Sequence, residues 1–253
     1  MLFDTHLHLD YEPFFRELPA VVERMKAAGV TGAVNAAIDA SSSKKALSIH
    51  ESYPFVLPAA GLHPLYLKGT EALEELAVLV RAGGFRAIGE TGLDFWNGRE
   101  NEELQRECFH FQVLLAKELR LPLLLHIRKG FYDVLSVMRE AGFDGPAVYH
   151  NFTGSLDMAK KALDANLLLS LGATITYPRK ENLRGVVKFI PAERLLVETD
   201  APDLPPWSKK GERHDPSDLP ETVRALAEAL GVSGEELAET TFDNARRLFL
   251  GDA

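Results

Sequence analysis

The chain reads as a single-domain α/β protein of the (β/α)8 (TIM) barrel class, and three observations predict this. Short apolar, β-branched runs alternate with longer helical patterns almost from end to end. Roughly eight strand–helix units can be counted, the number a closed barrel needs. The length of 253 residues also matches one such barrel. An open doubly wound sheet fits less well, because no GxGxxG follows the first strand and no P-loop occurs.

The expected strands, in order, are LFDTHLH (2–8), TGAVNAAI (31–38), FVLPAAGLH (55–63), FRAIGETGL (85–93), PLLLHI (122–127), AVYHN (147–151), LLLSLGA (167–173) and RLLVETD (194–200). Several are apolar on both faces, as strands of a covered parallel sheet are. Between them, ALEELAVLVRAGG (72–84), ENEELQRECFHFQVLLAKELR (100–120) and SLDMAKKALDAN (155–166) carry apolar residues at three- and four-residue spacing, with Gly or Asn near several ends. The longest irregular stretch is APDLPPWSKKGERHDPSD (201–218). A loop this long directly after the last strand points to function. No linker, repeat or low-complexity tract divides residues 1–253.

Apolar residues make up 46% of the chain and charged residues 26%, a globular balance with ample material for a core. The net charge of −9 argues against holding long nucleic acid by electrostatics alone. Local phosphate binding remains open, since bound divalent cations reverse the sign inside a cleft. Cys108 is the only cysteine, so no intrachain disulfide forms, which fits a cytoplasmic setting. It falls on a helical stripe with Leu104, Phe111 and Leu115 and reads as core. No basic segment leads into an apolar run, and no stretch approaches the ~20 apolar residues of a membrane span. No membrane partner is expected.

Chemistry-bearing residues fall at the strand ends. In DTHLH, the side chains of Asp4, His6 and His8 share one face by strand alternation. His63, Glu90, His126, His150 and Asp200 end later strands, and the C-terminal rim is where such barrels carry their sites. His6, His8, Glu90, His126, His150 and Asp200 are therefore six metal-capable groups on one rim. Four imidazoles and two carboxylates suit Zn²⁺ or Mn²⁺ and also hold Mg²⁺. They exceed the needs of one catalytic ion and suit two ions roughly 3.5–4 Å apart, with Glu90 as the natural bridge.

DTHLH, GLHP (61–64), GETGLD (89–94), LHIR (125–128), HNFTGS (150–155) and ETDAP (198–202) together resemble the signatures of the TatD family of metal-dependent deoxyribonucleases. The likeness runs from residue 4 to FDNARRLF (242–249), and GATITYPR with ETDAPDLPP looks closest to the YjjV-type subgroup. The resemblance implies a barrel of the amidohydrolase superfamily with two divalent ions. His6, His8, Glu90 and Asp200 would hold one, and Glu90, His126 and His150 the other. It also implies a hydrolase acting on DNA, 3'-5' exonuclease-like. Phosphodiester hydrolysis needs an activated water, and Asp200 reads as ligand and general base for it. Two departures flank the metal centre and bear on substrate preference. Asn-Phe-Thr-Gly follows His150 where a small residue or Cys and then Phe-Ser-Gly is usual, and RHDP (213–216) stands where RNEP is common.

Asp4 reads as a support for an imidazole or as a hydrogen-bond partner of a neighbouring loop. His63 either terminates a strand ahead of Pro64 or contacts substrate, and its rim position favours the second. Arg128 grips a phosphate or spans the barrel top in a salt bridge. Lys209, Lys210, Arg213 and His214 make the long loop basic, and with Trp207, Phe95 and Trp96 they offer charge and stacking surface to a single strand or frayed end. Each is also consistent with a solvated loop or ordinary packing. His50 and His110 read as structural, His50 near a helix C-terminus, and Asp94 as a loop stabiliser. The alternatives are a small-molecule ester, amide or phosphoester hydrolase using the same site, and a non-enzymatic barrel. The second would show a broken ligand set, whereas all six positions hold competent ligands. A monomer is expected.

Overall fold

The computed structural model describes residues 1–251. Its strands follow chain order, β1 to β8, and the described pairings are parallel. Packing groups the chain into two compact units, Ala36–Tyr149 and the residues on either side of it. The flanking unit opens with β1 (Leu2–Leu7), α1 (Glu12–Arg16), α2 (Leu18–Ala27) and β2 (Val30–Asn35). The inner unit comprises α3 (Ala40–Ser52), β3 (Val56–Ala60), α4 (Ala72–Arg81), β4 (Ala87–Asp94), α5 (Glu102–Leu119), β5 (Leu123–Arg128), α6 (Phe131–Glu140) and β6 (Ala147–Tyr149). The flanking unit resumes with α7 (Leu156–Asp164), β7 (Leu167–Leu171), α8 (Glu181–Val187), β8 (Leu195–Val197), α9 (Leu219–Leu230) and α10 (Gly234–Leu250).

In the flanking unit β1 is buried along its whole length. It pairs with β2 from Leu2 opposite Val30 to Leu7 opposite Asn35. Beyond the ladder its end meets the segment after β8: Asp200 N–H donates to the His6 carbonyl (2.9 Å) and His8 N–H to the Ala201 carbonyl (2.9 Å). The FDNARRLF segment is helical, part of α10, and packs on β1. Phe3 lies 6.0 Å from the rings of both Phe242 and Phe249. Burying an aromatic ring of this kind contributes roughly 1.5–3 kcal/mol. Asn244 on the same helix donates to the carbonyls of Ala192 and Leu195, at 2.7 and 2.9 Å, fixing the entry to β8.

In the inner unit β4 and β5 run side by side with Gly92 opposite His126 and Asp94 opposite Arg128. Gly92 has φ +144°, and a Cβ there would stand 2.1 Å from the His126 carbonyl oxygen, so only glycine admits this approach. Helix α3 is opened by a capping box in which Asp39 accepts from Ser42 N–H (2.7 Å), a cap that contributes about 1 kcal/mol.

The strands end sooner than the apolar runs suggest. β3, β6 and β8 stop at Ala60, Tyr149 and Val197. Asn151 and Asp200 adopt φ of 45° and 61°, a left-handed backbone that cannot continue a ladder. His63 caps a short 3₁₀ turn instead of ending a strand. The reactive side chains therefore sit just past several strand ends. The buried face of α5 also differs from the expected stripe. It comprises Gln105, Cys108, Phe109, Gln112, Val113, Leu115 and Ala116, with Phe111 only half-buried. Among the described residues no helix is long and apolar enough to cross a membrane.

Cys108 is fully buried, and burial pushes its thiol up to about 11. It is therefore protonated at pH 8 and shielded. Ellman's reagent at pH 8 is expected to leave the native protein unmodified and to titrate one thiol after unfolding in guanidinium chloride.

Candidate metal centre

In the flanking unit, His6, His8 and Asp200 converge. Their ligand-capable atoms all lie within 4.8 Å of one another. Asp200 Oδ1 is 3.6 Å from His8 Nε2 and 3.9 Å from His6 Nε2. These separations exceed a good hydrogen bond. Donors on one tetrahedral ion, with bonds of about 2.0–2.1 Å, stand roughly 3.3 Å apart, so the set fits a shared cation better than direct pairing. Burial opposes ionisation of Asp200, but the neighbouring imidazoles of His8, His150 and His6 outweigh this and hold the carboxyl below its ordinary range. His150 stacks on His6 with ring centroids 4.0 Å apart and planes 16° from parallel.

Two further carboxylates organise these imidazoles. Asp4 is fully buried and accepts from Thr199 Oγ1 (2.6 Å), Thr199 N–H (3.0 Å) and His6 N–H (3.2 Å). It thus clamps the backbone carrying His6 to the residue before Asp200, in place of holding an imidazole ring. Burial pushes its carboxyl up to about 7, against the pull of the Thr199 bonds. Glu198 is buried too. Its Oε1 accepts from Asn151 N–H (2.7 Å) and lies 3.3 Å from His150 Nδ1, which directs the other ring nitrogen away from it. Asn35 completes the frame by accepting from Leu9 N–H (2.6 Å), just past His8.

In the inner unit, His63, Glu90 and His126 form a second group of mutually close donors. Glu90 Oε1 is 2.7 Å from His126 Nδ1 and 3.3 Å from His63 Nε2, and the two imidazole nitrogens are 3.1 Å apart. Asp94 Oδ2 stands 2.9 Å from His126 Nε2. With its Nε2–H donating to Asp94, His126 keeps the Nδ1 lone pair on the side of Glu90 and His63. Burial raises Asp94, but the His126 bond, Trp96 N–H and the charge of Arg128 bring it below its ordinary range. Asp94 therefore orients a candidate ligand as well as its own loop.

Two glutamines of α5 hold this group in place. Gln112 accepts from Leu62 N–H (2.7 Å) and donates to the Leu62 carbonyl (3.1 Å), next to His63. Gln105 does the same for Asp94, at 2.8 and 3.0 Å. Both are buried, and nothing in their residue type distinguishes them from surface glutamines. Their spacing of two helical turns on the Cys108 face is the only trace in the sequence.

The expected substrate contacts separate. His63 joins the inner donor group. Arg128 is exposed and stacks over Trp96 at 4.2 Å to the ring centroid, with no carboxylate partner among the described residues. Arg213 pairs with Glu17 and lies 4.5 Å over the Phe14 ring, and Lys209 pairs with Asp218, so two of the loop's charges are neutralised within the chain. Phe95 is buried and offers no stacking surface. His214 is buried with Nδ1 on the Asp203 carbonyl (2.8 Å), and burial holds its imidazole below the ordinary range. His50 bonds the Val56 carbonyl (2.9 Å), a structural role.

Strand-end imidazoles and carboxylates on parallel strands with helical crossovers define a metal-dependent hydrolase of the (β/α)8 class. The chain belongs to the TatD-related DNase family, whose profile matches residues 3–250. It is 37% identical to the metal-dependent hydrolase YabD of Bacillus subtilis, covering 98% of this chain and 99% of that protein. It is 34% identical to the 3'-5' ssDNA/RNA exonuclease TatD of Pectobacterium atrosepticum, with 98% and 99% covered. The crystal structure of the TatD homologue YjjV from Escherichia coli superposes with a TM-score of 0.93 at 31% identity, over 98% of each chain. The family resemblance and the fold class read from the sequence are borne out.

Two substitutions test how the site is held. Asp94→Ala is expected to weaken Mn²⁺ binding about 10–100-fold by isothermal titration calorimetry, since the ring it orients is released. Gln112→Leu leaves two buried backbone groups unpaired and is expected to cost about 1–3 kcal/mol for each in urea unfolding.

Proposed function

We propose that the chain is a divalent-metal-dependent deoxyribonuclease, a single hydrolase domain that cleaves phosphodiester bonds from an exposed 3' end of DNA. The observation that carries the reading is the pair of preorganised donor groups, His6–His8–Asp200 and His63–Glu90–His126, each with ligand atoms within 4.8 Å of one another. The family and the relatives named as nucleases support the same substrate class.

In this reading one ion is held by His6, His8 and Asp200, and a second by Glu90 and His126 with His63. His150, oriented by Glu198, adds an imidazole beside His6. Mixed nitrogen and oxygen donors suit Mn²⁺ or Zn²⁺ and accept Mg²⁺. Bound divalent ions supply Lewis acidity, lowering the pKa of water and neutralising phosphoryl charge. Asp200, held ionised, accepts the proton of the attacking water at a carboxylate oxygen. Its backbone in the left-handed region, fixed by the N–H bond to His6, sets where that oxygen points. Asp4 and Asp94 do no chemistry and keep His6 and His126 in register.

A single-stranded oligonucleotide labelled at its 5' end should shorten from the 3' end with Mg²⁺ or Mn²⁺. EDTA should stop the reaction, and Asp200→Asn should slow it by at least about 10²–10⁴-fold, a general base's share, at unchanged melting temperature. Intact DNA with every divalent ion tried, in a folded and metal-loaded protein, would sink the reading.

A further inference from the structure

The geometry points to Trp96, Arg128 and Lys129 as a stacking platform that receives a base and its adjoining phosphate from single-stranded DNA. The inference rests on the nuclease reading and assigns its substrate contact to this corner of the inner unit, not to the long loop after β8.

Trp96 is 55% exposed, unusual for so large an apolar ring. Two cations lie against it. The Arg128 guanidinium carbon is 4.2 Å from the ring centroid and the Lys129 ammonium 5.4 Å. Both side chains are exposed, and among the described residues neither makes an ion pair. Elsewhere, exposed arginines such as Arg81 and Arg99 are matched by carboxylates. An indole with two cations at its face, neither in an ion pair among the described residues, offers a base its π-surface and a phosphate its counter-charge. The guanidinium also offers a planar fork to phosphate oxygens.

The platform is wired to the candidate centre by one side chain. The Trp96 backbone N–H donates to Asp94 Oδ1 (2.9 Å), while Asp94 Oδ2 holds His126 Nε2. Phe95 N–H donates to the Arg128 carbonyl (2.8 Å), which fixes the Trp96 turn beside the end of β5. Arg128 stands two residues beyond His126 on that strand, on the same face by alternation. A nucleotide stacked on Trp96 would thus lie within a short reach of Glu90 and His126. The loop after β8 is a weaker candidate, because Lys209 and Arg213 are already paired and only Lys210 lies over Trp207.

The chain has two tryptophans, so a Trp207→Phe background leaves Trp96 as the sole indole reporter. Titration with a phosphorothioate oligothymidylate, which resists hydrolysis, should quench its fluorescence saturably, and Arg128→Ala should weaken that binding about tenfold. In turnover, Trp96→Ala should lower kcat/KM for an oligonucleotide about tenfold relative to kcat/KM for bis(p-nitrophenyl) phosphate, which is too small to span both places. An unquenched Trp96 in a protein that degrades DNA overturns the platform and leaves the nuclease reading standing. Quenching without cleavage upholds the platform and removes the nuclease reading. Neither quenching nor cleavage removes both.

Discussion

The flanking unit depends on a buried carboxylate that joins two distant strand ends. Asp4 accepts from the hydroxyl and N–H of Thr199 and from the N–H of His6, so one side chain sets β1 against the segment after β8. Burial of that carboxylate is costly, as its upward shift to about 7 records. Three hydrogen bonds offset the cost only if the two segments stay in register. His6, His8 and Asp200 ride on those segments, so the geometry of the donor group follows from the clamp.

The inner unit solves the same problem differently. Here the segments carrying His63 and Asp94 are each gripped by a glutamine from α5, a rigid element whose buried face packs through Cys108, Phe109 and Val113. A glutamine amide satisfies one backbone N–H and one C=O at once, as a strand neighbour would, where the chain leaves the ladder. In both units strand residues (His6, Glu90, His126) and residues just past strand ends (His8, His63, Asp200) supply the candidates, and buried polar side chains stiffen the backbone where the ladder stops.

Much of this was legible in the sequence because it follows from simple periodicities. Alternation placed Asp4, His6 and His8 on one face, and the strand–helix count placed later histidines and carboxylates at strand ends. Asp4 and Asp94 were legible as supports, but the other supporting residues were not. Gln105 and Gln112 gave no signal, since residue type alone does not report burial. Glu198 sits beside a more conspicuous neighbour, and its partner, His150, is far away in the chain. The basic loop read as free charge because its counter-ion Glu17 lies almost two hundred residues earlier, and only folding brings it to Arg213. Strand ends were overextended because the apolar signal continues past the point where Asn151 and Asp200 turn left-handed.

The central claim is that these two groups of imidazoles and carboxylates are held for divalent ions. Its most direct test is anomalous diffraction from crystals grown with Mn²⁺. The account predicts a peak about 2.0–2.2 Å from His6, His8 and Asp200 and a second beside Glu90 and His126. Density at neither group, in protein that hydrolyses its substrate in the same Mn²⁺ solution, would contradict it.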